Sequence, residues 1–266
     1  MSSNILEFEF TSGFFSTCTV LMRNIVGYHL QNDTLPKIET SKLWNTYKDV
    51  DIDIYTKFFE RKNDIIYLEP SKFSLSVDED QFSDFNLINY DYTNVIINQY
   101  FSPSIEIIKI KNELIQKYNI DLKNTISVCY RGNDKSRETN LPTYDEIMNE
   151  VTQVKHKTPN KKLLIQTDEL EFFEYMLSHF PDSIVIHETK KIKRSDTAIQ
   201  YTIPFGEKVI TAQNFLSVMY LMSETSSIIL NSGNVGMWVC LFRGNSNDVY
   251  QYLNPLNSDN PIKWVK

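Results

Sequence analysis

Glycine is scarce in this sequence, and so are cysteine, long apolar runs and excess positive charge. Only 7 of the 266 residues are glycine, which excludes collagen-like and linker-rich chains. The 3 cysteines (Cys18, Cys129 and Cys240) are far apart and lack C-x-x-C spacing. They therefore indicate reduced core residues in a reducing compartment rather than a disulfide framework.

The charge balance and the missing apolar runs restrict the partners of the protein. With 27 basic and 34 acidic residues the net charge is -7, which argues against general nucleic-acid binding but leaves room for a local basic cluster on a phosphorylated ligand. No run of 18 apolar residues is present, and Glu7 and Glu9 interrupt the first apolar stretch, unlike a signal peptide. We therefore expect a soluble, cytoplasmic protein without a membrane span. The sequence carries no signal for oligomeric state.

A regular alternation of strands and helices fills the second half of the chain. Hydrophobic patterning predicts four strands and four helices, at 126–130, 163–166, 183–187 and 227–230 and at 143–154, 169–180, 212–223 and 235–242. This order predicts a parallel sheet with helices on both faces. Before it, a strand is expected at 6–10, a helix at 16–30 and another helix after Pro103. A polar segment near residue 122 suggests two α/β domains, 1–122 and 123–266, that face a cleft.

Polar side chains follow the first of the predicted strands. Arg131 ends it, and a short turn then carries Asp134, Lys135 and Glu138. Ligands of such sheets bind at the carboxyl ends of the strands. An arginine fixed there can offer a fork of donors to two phosphate oxygens, although a solvated surface turn explains Arg131 about equally well.

The second strand end carries Thr167 and Asp168. The favoured interpretation is that one of them caps the following helix. The alternative is that Asp168 orients Arg131 or binds a ribose hydroxyl of a nucleotide.

The fourth predicted strand, 227–230, runs into a helix through Asn231, Ser232, Gly233 and Asn234. Free amides at a helix start form an anion site with the positive end of the helix dipole, and Gly233 would let a phosphate approach the backbone. The spacing is not that of a Rossmann or Walker A loop.

Three segments resemble the fucosyltransferase superfamily, in matching order and spacing over residues 124–244. Val128-Cys-Tyr-Arg-Gly-Asn-Asp-Lys is similar to the H-x-R-x-x-D(-K) segment of α1,6-, nodulation and α1,2-fucosyltransferases. Leu163-Leu-Ile-Gln-Thr-Asp-Glu resembles their next strand, with its T-D pair. Met219-Tyr-Leu-Met-Ser-Glu-Thr-Ser-Ser-Ile-Ile-Leu-Asn-Ser-Gly-Asn resembles their L-M-S…I-I-x-(N)-S-S stretch. The segment 12–16 is a candidate counterpart of their first loop.

The resemblance implies a GT-B-like fold of two Rossmann-like domains, with an acceptor-side domain at 1–122 and a donor-binding domain at 123–266. It implies an inverting enzyme that needs no metal and transfers fucose from GDP-fucose to a hydroxyl of a glycan or glycoprotein. Arg131 would bind the diphosphate and stabilise the leaving nucleotide, and Glu138 would be the general base. The other implied donor-binding residues are Asp134, Lys135, Asp168, Asn231, Ser232, Gly233 and Asn234.

Two departures from the family pattern leave alternatives open. Cys129 replaces the family histidine, and Val218 stands where an aspartate commonly precedes the L-M-S stretch. Another donor such as UDP-xylose, an inactive nucleotide- or glycan-binding module, and an unrelated phosphate-ester hydrolase therefore remain alternatives. The D-x-D pattern of Asp51 and Asp53 lacks the apolar strand expected before a metal site, so no metal is expected there.

Overall fold

The computed structural model describes residues 4–62, 81–256 and 263–266, and these contain seven α-helices and ten strands. The helices are α1 (Phe14–Asn32), α2 (Tyr90–Tyr100), α3 (Ile105–Lys117), α4 (Tyr144–Lys157), α5 (Leu170–His179), α6 (Lys208–Ser223) and α7 (Asn234–Arg243). The strands are β1 (Ile5–Glu7), β2 (Lys37–Glu39), β3 (Phe59–Glu60), β4 (Ser102–Pro103), β5 (Thr125–Tyr130), β6 (Lys162–Thr167), β7 (Ile184–Val185), β8 (Ser227–Asn231), β9 (Val249–Tyr252) and β10 (Trp264–Val265).

A six-stranded sheet in the order β10-β9-β8-β5-β6-β7 organises the second half of the chain. Every pair is parallel except β9 with β10. β5 and β8 are buried along their whole length, as expected for parallel strands covered on both faces. The predicted parallel sheet is thereby confirmed.

Alternate residues of the central strands face two separate apolar layers. Val128 and Ile229 belong to a cluster with residues of α4 and α5. Cys129 and Leu230 belong to a second cluster with residues of α6 and α7. Helices therefore cover both faces, as predicted. The capping box that starts α4 at Thr143 is also present as predicted from its Glu146 partner.

The first half of the chain contributes helices and two small sheets. Within residues 4–62 and 81–122, β1 pairs in parallel with β2, and β3 pairs antiparallel with β4. The strand predicted at 6–10 is displaced to Ile5–Glu7, and Phe10 makes only an isolated bridge to Leu43.

One apolar cluster connects the two halves. The Trp238 ring of α7 stacks on Phe15 with centroids 5.8 Å apart and contacts Phe101 edge-on at 4.8 Å. Trp44 and Phe58 belong to the same buried cluster. The division into domains 1–122 and 123–266 stays a prediction.

No helix in the described ranges is apolar over enough length to cross a bilayer.

Candidate functional site

The main chain of Arg131 is clamped from the neighbouring strand. Because β5 and β8 are parallel neighbours, their carboxyl ends meet at one edge of the sheet. The Asn231 carboxamide accepts a hydrogen bond from Arg131 N (2.8 Å) and donates one to Arg131 O (3.0 Å). Asn231 therefore positions Arg131, and a direct contact between Asn231 and a donor stays a prediction.

The Arg131 guanidinium lies between two carboxylates. Its Nε is 3.2 Å from Asp168 Oδ2, and its Nη2 donates to Asp134 Oδ1 at 3.3 Å. Burial acts to lower the pKa of Arg131, but Asp168 and Asp134 outweigh it, so this pKa is raised and the charge is held. The Arg131 side chain is 18% exposed, and its Nη1 makes no hydrogen bond to any described residue. One edge of the fork therefore remains available to a ligand.

Asp168 orients this arginine turn rather than capping α5. Besides its ion pair with Arg131, its Oδ1 accepts a hydrogen bond from Gly132 N at 3.0 Å. The N-cap residue of α5 is Glu169, whose own side chain makes no capping hydrogen bond, and Thr167 Oγ1 accepts only from the Glu169 amide (3.1 Å), not from an amide inside the helix. The favoured interpretation of Thr167 or Asp168 as a helix cap is therefore wrong. The physical reason is that β6 lies beside β5, which brings Asp168 next to a cation and a free amide that outcompete the helix start.

Lys135 and Glu138 complete the turn, which is a 3₁₀ helix over Asn133–Arg137. Lys135 Nζ donates to Glu138 Oε2 at 2.6 Å, and the Glu138 side chain is 38% exposed. Arg131, Asp134, Lys135 and Glu138 therefore form one cluster of alternating charge, as the spacing in the sequence predicted. Glu138 is free enough to meet a substrate, whereas Lys135 is nearly buried.

Two cavities adjoin the cluster and share the walls Tyr47, Arg131, Gln200 and Phe215. One, of about 50 Å³, extends over Cys129, Asp168 and Lys190. The other, of about 150 Å³, is bounded by Ser12, Gly13, Phe14, Phe15, Ser16, Gln81, Asp134, Lys135, Glu138, Asn234 and Val235. We call the two together the Arg131 cleft. Both halves of the chain line it, and the segment 12–16 that the sequence singled out is one of its walls.

Three amides at the start of α7 already have protein acceptors. Gly233 N donates to the Gln81 main-chain oxygen at 2.8 Å, and Asn234 N donates to Gln81 Oε1 at 3.2 Å. Ser232 is buried, and both its N and its Oγ donate to Tyr252 O. The amides of Ser232, Gly233 and Asn234 are therefore bonded to Gln81 and β9, and donor binding by these residues stays a prediction. These protein acceptors occupy the amides that a phosphate would need.

Glu169 is a site residue that the sequence did not single out. Its side chain is completely buried, accepts hydrogen bonds from Asn133 N (3.3 Å) and the Tyr144 hydroxyl, and lies against the α-carbon of Gly132. Burial raises the pKa of Glu169. Its place directly after Asp168 was the only available signal.

Tyr47 was also missed, because nothing near it in the sequence marks a site. Its hydroxyl accepts a hydrogen bond from Phe14 N at 3.0 Å, and burial raises the pKa of Tyr47 to about 12. The Tyr47 ring lines both cavities of the Arg131 cleft. Tyr47 therefore closes the cleft as a neutral phenol.

The two positions that depart from the family pattern are both buried. Burial raises the pKa of Cys129 to about 12, so a neutral thiol lines the smaller cavity. Val218, a residue of α6, is buried in the apolar core, and the Ser217 hydroxyl beside it donates to Ile107 O. Neither Val218 nor Ser217 lines the Arg131 cleft. Recognition of a nucleotide base therefore needs other residues.

The two aspartates of the D-x-D pattern, Asp51 and Asp53, contact residues close to them in the sequence. Asp51 pairs with Lys48 at 2.9 Å, and Asp53 accepts hydrogen bonds from Thr40 and from Tyr55 N. In residues 4–62, 81–256 and 263–266 no group of three or more acidic, histidine or cysteine side chains is arranged to hold a metal ion.

The buried Glu169 carboxyl predicts a pH dependence of stability. Its folded-state pKa is raised above 4.5, so its contribution to stability is complete below pH 4.5 and is lost as the pH rises through the folded-state pKa. We therefore expect the unfolding free energy of Glu169→Gln, relative to that of the wild type, to increase as the pH rises from about 4.5. Urea denaturation across this range measures the difference, with the exposed Glu174→Gln as the control. Parallel curves for wild type and Glu169→Gln would show that the carboxyl titrates normally.

Comparison with known proteins finds similarity only among solved structures. No protein-family model and no curated protein matches the chain. The chain resembles the NodZ α1,6-fucosyltransferase soaked with GDP-fucose, with a TM-score of 0.45 and 14% identity over 67% of this chain and 53% of that chain. It resembles a mutant of Arabidopsis thaliana FUT1 in complex with GDP, with a TM-score of 0.39 and 11% identity over 65% of this chain and 38% of that chain.

Both are fucosyltransferases, the family that the sequence motifs resemble. The chain spans about half of the NodZ chain and less of the Arabidopsis chain.

Proposed function

We propose that this protein is a glycosyltransferase that binds a nucleoside-diphosphate sugar in the Arg131 cleft. The carrying observation is the guanidinium of Arg131, which is fixed at the carboxyl edge of a parallel sheet and whose Nη1 has no hydrogen-bond partner among the described residues. A planar fork of charged donors matches two phosphate oxygens. The motif resemblance supports GDP-fucose as the donor, and a UDP-sugar is the alternative that the binding experiment below distinguishes.

In the proposed reaction a hydroxyl of an acceptor glycan attacks the anomeric carbon of the donor sugar. Glu138 takes the proton of that hydroxyl, the new glycosidic bond forms, and the bond to the diphosphate breaks with inversion. Arg131 and Lys135 meet the negative charge that develops on the leaving diphosphate. Such prearranged charges contribute about 3–4 kcal/mol of transition-state stabilisation per well-placed donor.

Protein cations fill the place of a metal in this proposal. Activity is therefore expected to be insensitive to EDTA.

The two-domain GT-B arrangement is part of the proposal. Residues 123–266 would hold the donor, and residues 1–122 would face the acceptor. The walls that Ser12, Gly13 and Tyr47 contribute to the cleft support this division of roles.

Nucleotide binding tests the proposed donor site. Thermal shifts with GDP, UDP, GDP-fucose and UDP-xylose are compared between wild type, Arg131→Lys and Arg137→Lys. A ligand at about 100 times its Kd adds roughly 2.7 kcal/mol of stability, which corresponds to about 5–10 °C for a chain of this size. Arg131→Lys keeps the charge but loses the planar fork, so we expect binding to weaken by about tenfold or more. Arg137, an exposed partner of Asp196, is the matched control and should tolerate lysine.

A shift with a single nucleotide base would identify the donor class. No shift with any nucleotide in a folded wild-type sample would overturn the proposal. Equal binding by Arg131→Lys and wild type would show that the diphosphate does not bind to Arg131.

A further inference from the structure

Only two aromatic side chains in the described part of the chain are exposed, and both lie on one segment beside the Arg131 cleft. Tyr201 is 69% exposed and Phe205 is 77% exposed. All other described phenylalanine, tyrosine and tryptophan residues are buried or half-buried. An aromatic ring left in water forgoes the stabilisation that burial gives elsewhere in this aromatic-rich protein. Two such rings within five positions therefore indicate a binding role.

The segment that carries the rings, residues 195–205, is anchored to the turn 131–138 that contains Arg131 and Glu138. Ser195 N donates to Asn133 Oδ1 at 3.0 Å, and Arg137 pairs with Asp196 at 3.0 Å. Further along, the Lys190 ammonium donates to Thr202 O. Both ends of the segment are thus tied to residues next to the Arg131 cleft.

The rings follow cleft-lining residues along the chain but do not themselves line the cleft. Gln200 lines both cavities and Ile203 lines the smaller one, whereas neither Tyr201 nor Phe205 lines either cavity. A donor nucleotide bound at Arg131 would occupy the interior. Tyr201, next to Gln200 in the chain, would then be placed to meet a second substrate outside the interior.

We propose that Tyr201 and Phe205 form a platform on which pyranose rings of the acceptor stack. The apolar C–H face of a pyranose packs on the face of an aromatic ring, while the sugar hydroxyls stay in water. This inference rests on the proposed function, because it takes the bound glycan to be the acceptor that Glu138 deprotonates. It states that the two rings bind a neutral oligosaccharide, a substrate class that the chemistry of Arg131 does not specify.

The local surface favours a sugar over a protein partner. A specific protein interface covers about 800 Å² per partner with a continuous apolar centre. Here the two rings are separated by Thr202, the exposed Pro204 and the buried Ile203, and the next exposed large apolar side chain, Ile210, comes only after Glu207 and Lys208. Isolated flat rings in a polar setting suit the alternating C–H and hydroxyl groups of a glycan.

The test measures oligosaccharide binding by saturation-transfer NMR on the full chain, with the nucleotide that binds wild type present at saturation. The probes are cellotetraose, maltotetraose and chitotetraose. We expect at least one probe to bind wild type, and its Kd to rise by about tenfold or more in Tyr201→Ala and in Phe205→Ala. Tyr201→Phe and Phe205→Tyr keep a ring and should bind as wild type does. Nucleotide affinity should be the same in all five proteins.

The controls separate the platform from folding and from self-association. Both rings are exposed, so thermal melting of the alanine variants should stay within about 2 °C of wild type. Ile105→Ala, which removes an exposed apolar side chain away from the cleft, should leave glycan binding unchanged. Sedimentation of wild type and both alanine variants should give the same mass.

Each contrary result identifies what fails. Alanine variants that bind the probes as wild type does would overturn the platform, as would a wild type that binds nucleotide but no probe. A dimer that the alanine substitutions dissociate would make the rings a contact between copies and would also overturn it. A wild type that binds no nucleotide would instead overturn the proposed function.

Discussion

Replacing Glu138 with glutamine is expected to lower sugar transfer by about 10²–10⁴-fold while nucleotide binding stays at the wild-type level. Glutamine keeps the shape of the side chain and can still accept the hydrogen bond that Lys135 donates at 2.6 Å. It cannot take a proton from the acceptor hydroxyl. The effect should therefore fall on kcat rather than on donor affinity.

Release of nucleoside diphosphate measures this prediction, with water as the acceptor if no glycan is turned over. The matched control is Glu113→Gln, which neutralises an exposed carboxylate that pairs with Lys109 on α3, outside the cleft. Its rate should equal that of wild type. A wild-type rate in Glu138→Gln would show that Glu138 is not the general base. Asp134, the other carboxylate that lines the larger cavity, would then be the candidate.

Replacing Gly132 with alanine is expected to destabilise the protein by about 2–5 kcal/mol, from overpacking and from hydrogen bonds that must break. An added Cβ would stand 2.0 Å from Glu169 Oε2 and 2.9 Å from the Tyr130 ring. Glu169 cannot move away freely, because it is buried and accepts hydrogen bonds from Asn133 N and from the Tyr144 hydroxyl. The displaced carboxylate would also disturb the turn that carries Arg131.

Thermal or urea denaturation checks the prediction, with Gly27→Ala as the control. Gly27 lies in α1, and an added Cβ there meets nothing within 4 Å, so alanine should stabilise by roughly 0.5–1 kcal/mol. The double variant Gly132→Ala/Glu169→Ala removes the clashing group. Its loss of stability should be smaller than the sum of the two single losses. Additive losses would mean that Gly132 and Glu169 do not contact each other.

The two predictions concern different properties of one turn. Glu138 is partly exposed on the cleft side, so its substitution should affect chemistry with little effect on folding. Gly132 faces the buried side, so its substitution should affect folding first and donor binding as a consequence. Measuring stability and nucleotide affinity on both variants separates these contributions.

The sequence by itself determined the local elements and the positions where chemistry is concentrated. Apolar periodicity and the Thr143–Glu146 capping box act within a few residues, and they placed the helices and four of the five parallel strands of the second half correctly, whereas β9 was not predicted. The spacing of Arg131, Asp134, Lys135 and Glu138 within one turn brought those side chains together, because neighbours in a short turn cannot separate far.

Only the tertiary structure decided how distant groups pair. Asp168 reaches the Gly132 amide across 36 positions, Asn231 reaches the main chain of Arg131 across 100, and Gln81 reaches the start of α7 across 153. Each pairing depends on which strands are neighbours, and hydrophobic periodicity carries no information on strand order. A carboxylate after a strand therefore suggested a helix cap, and glycines at a helix start suggested a phosphate site, until the partners supplied by β5 and by Gln81 were visible. Local patterns state what each element is, whereas the packing of elements brings their ends together and so decides which polar groups are satisfied and which remain free for a ligand.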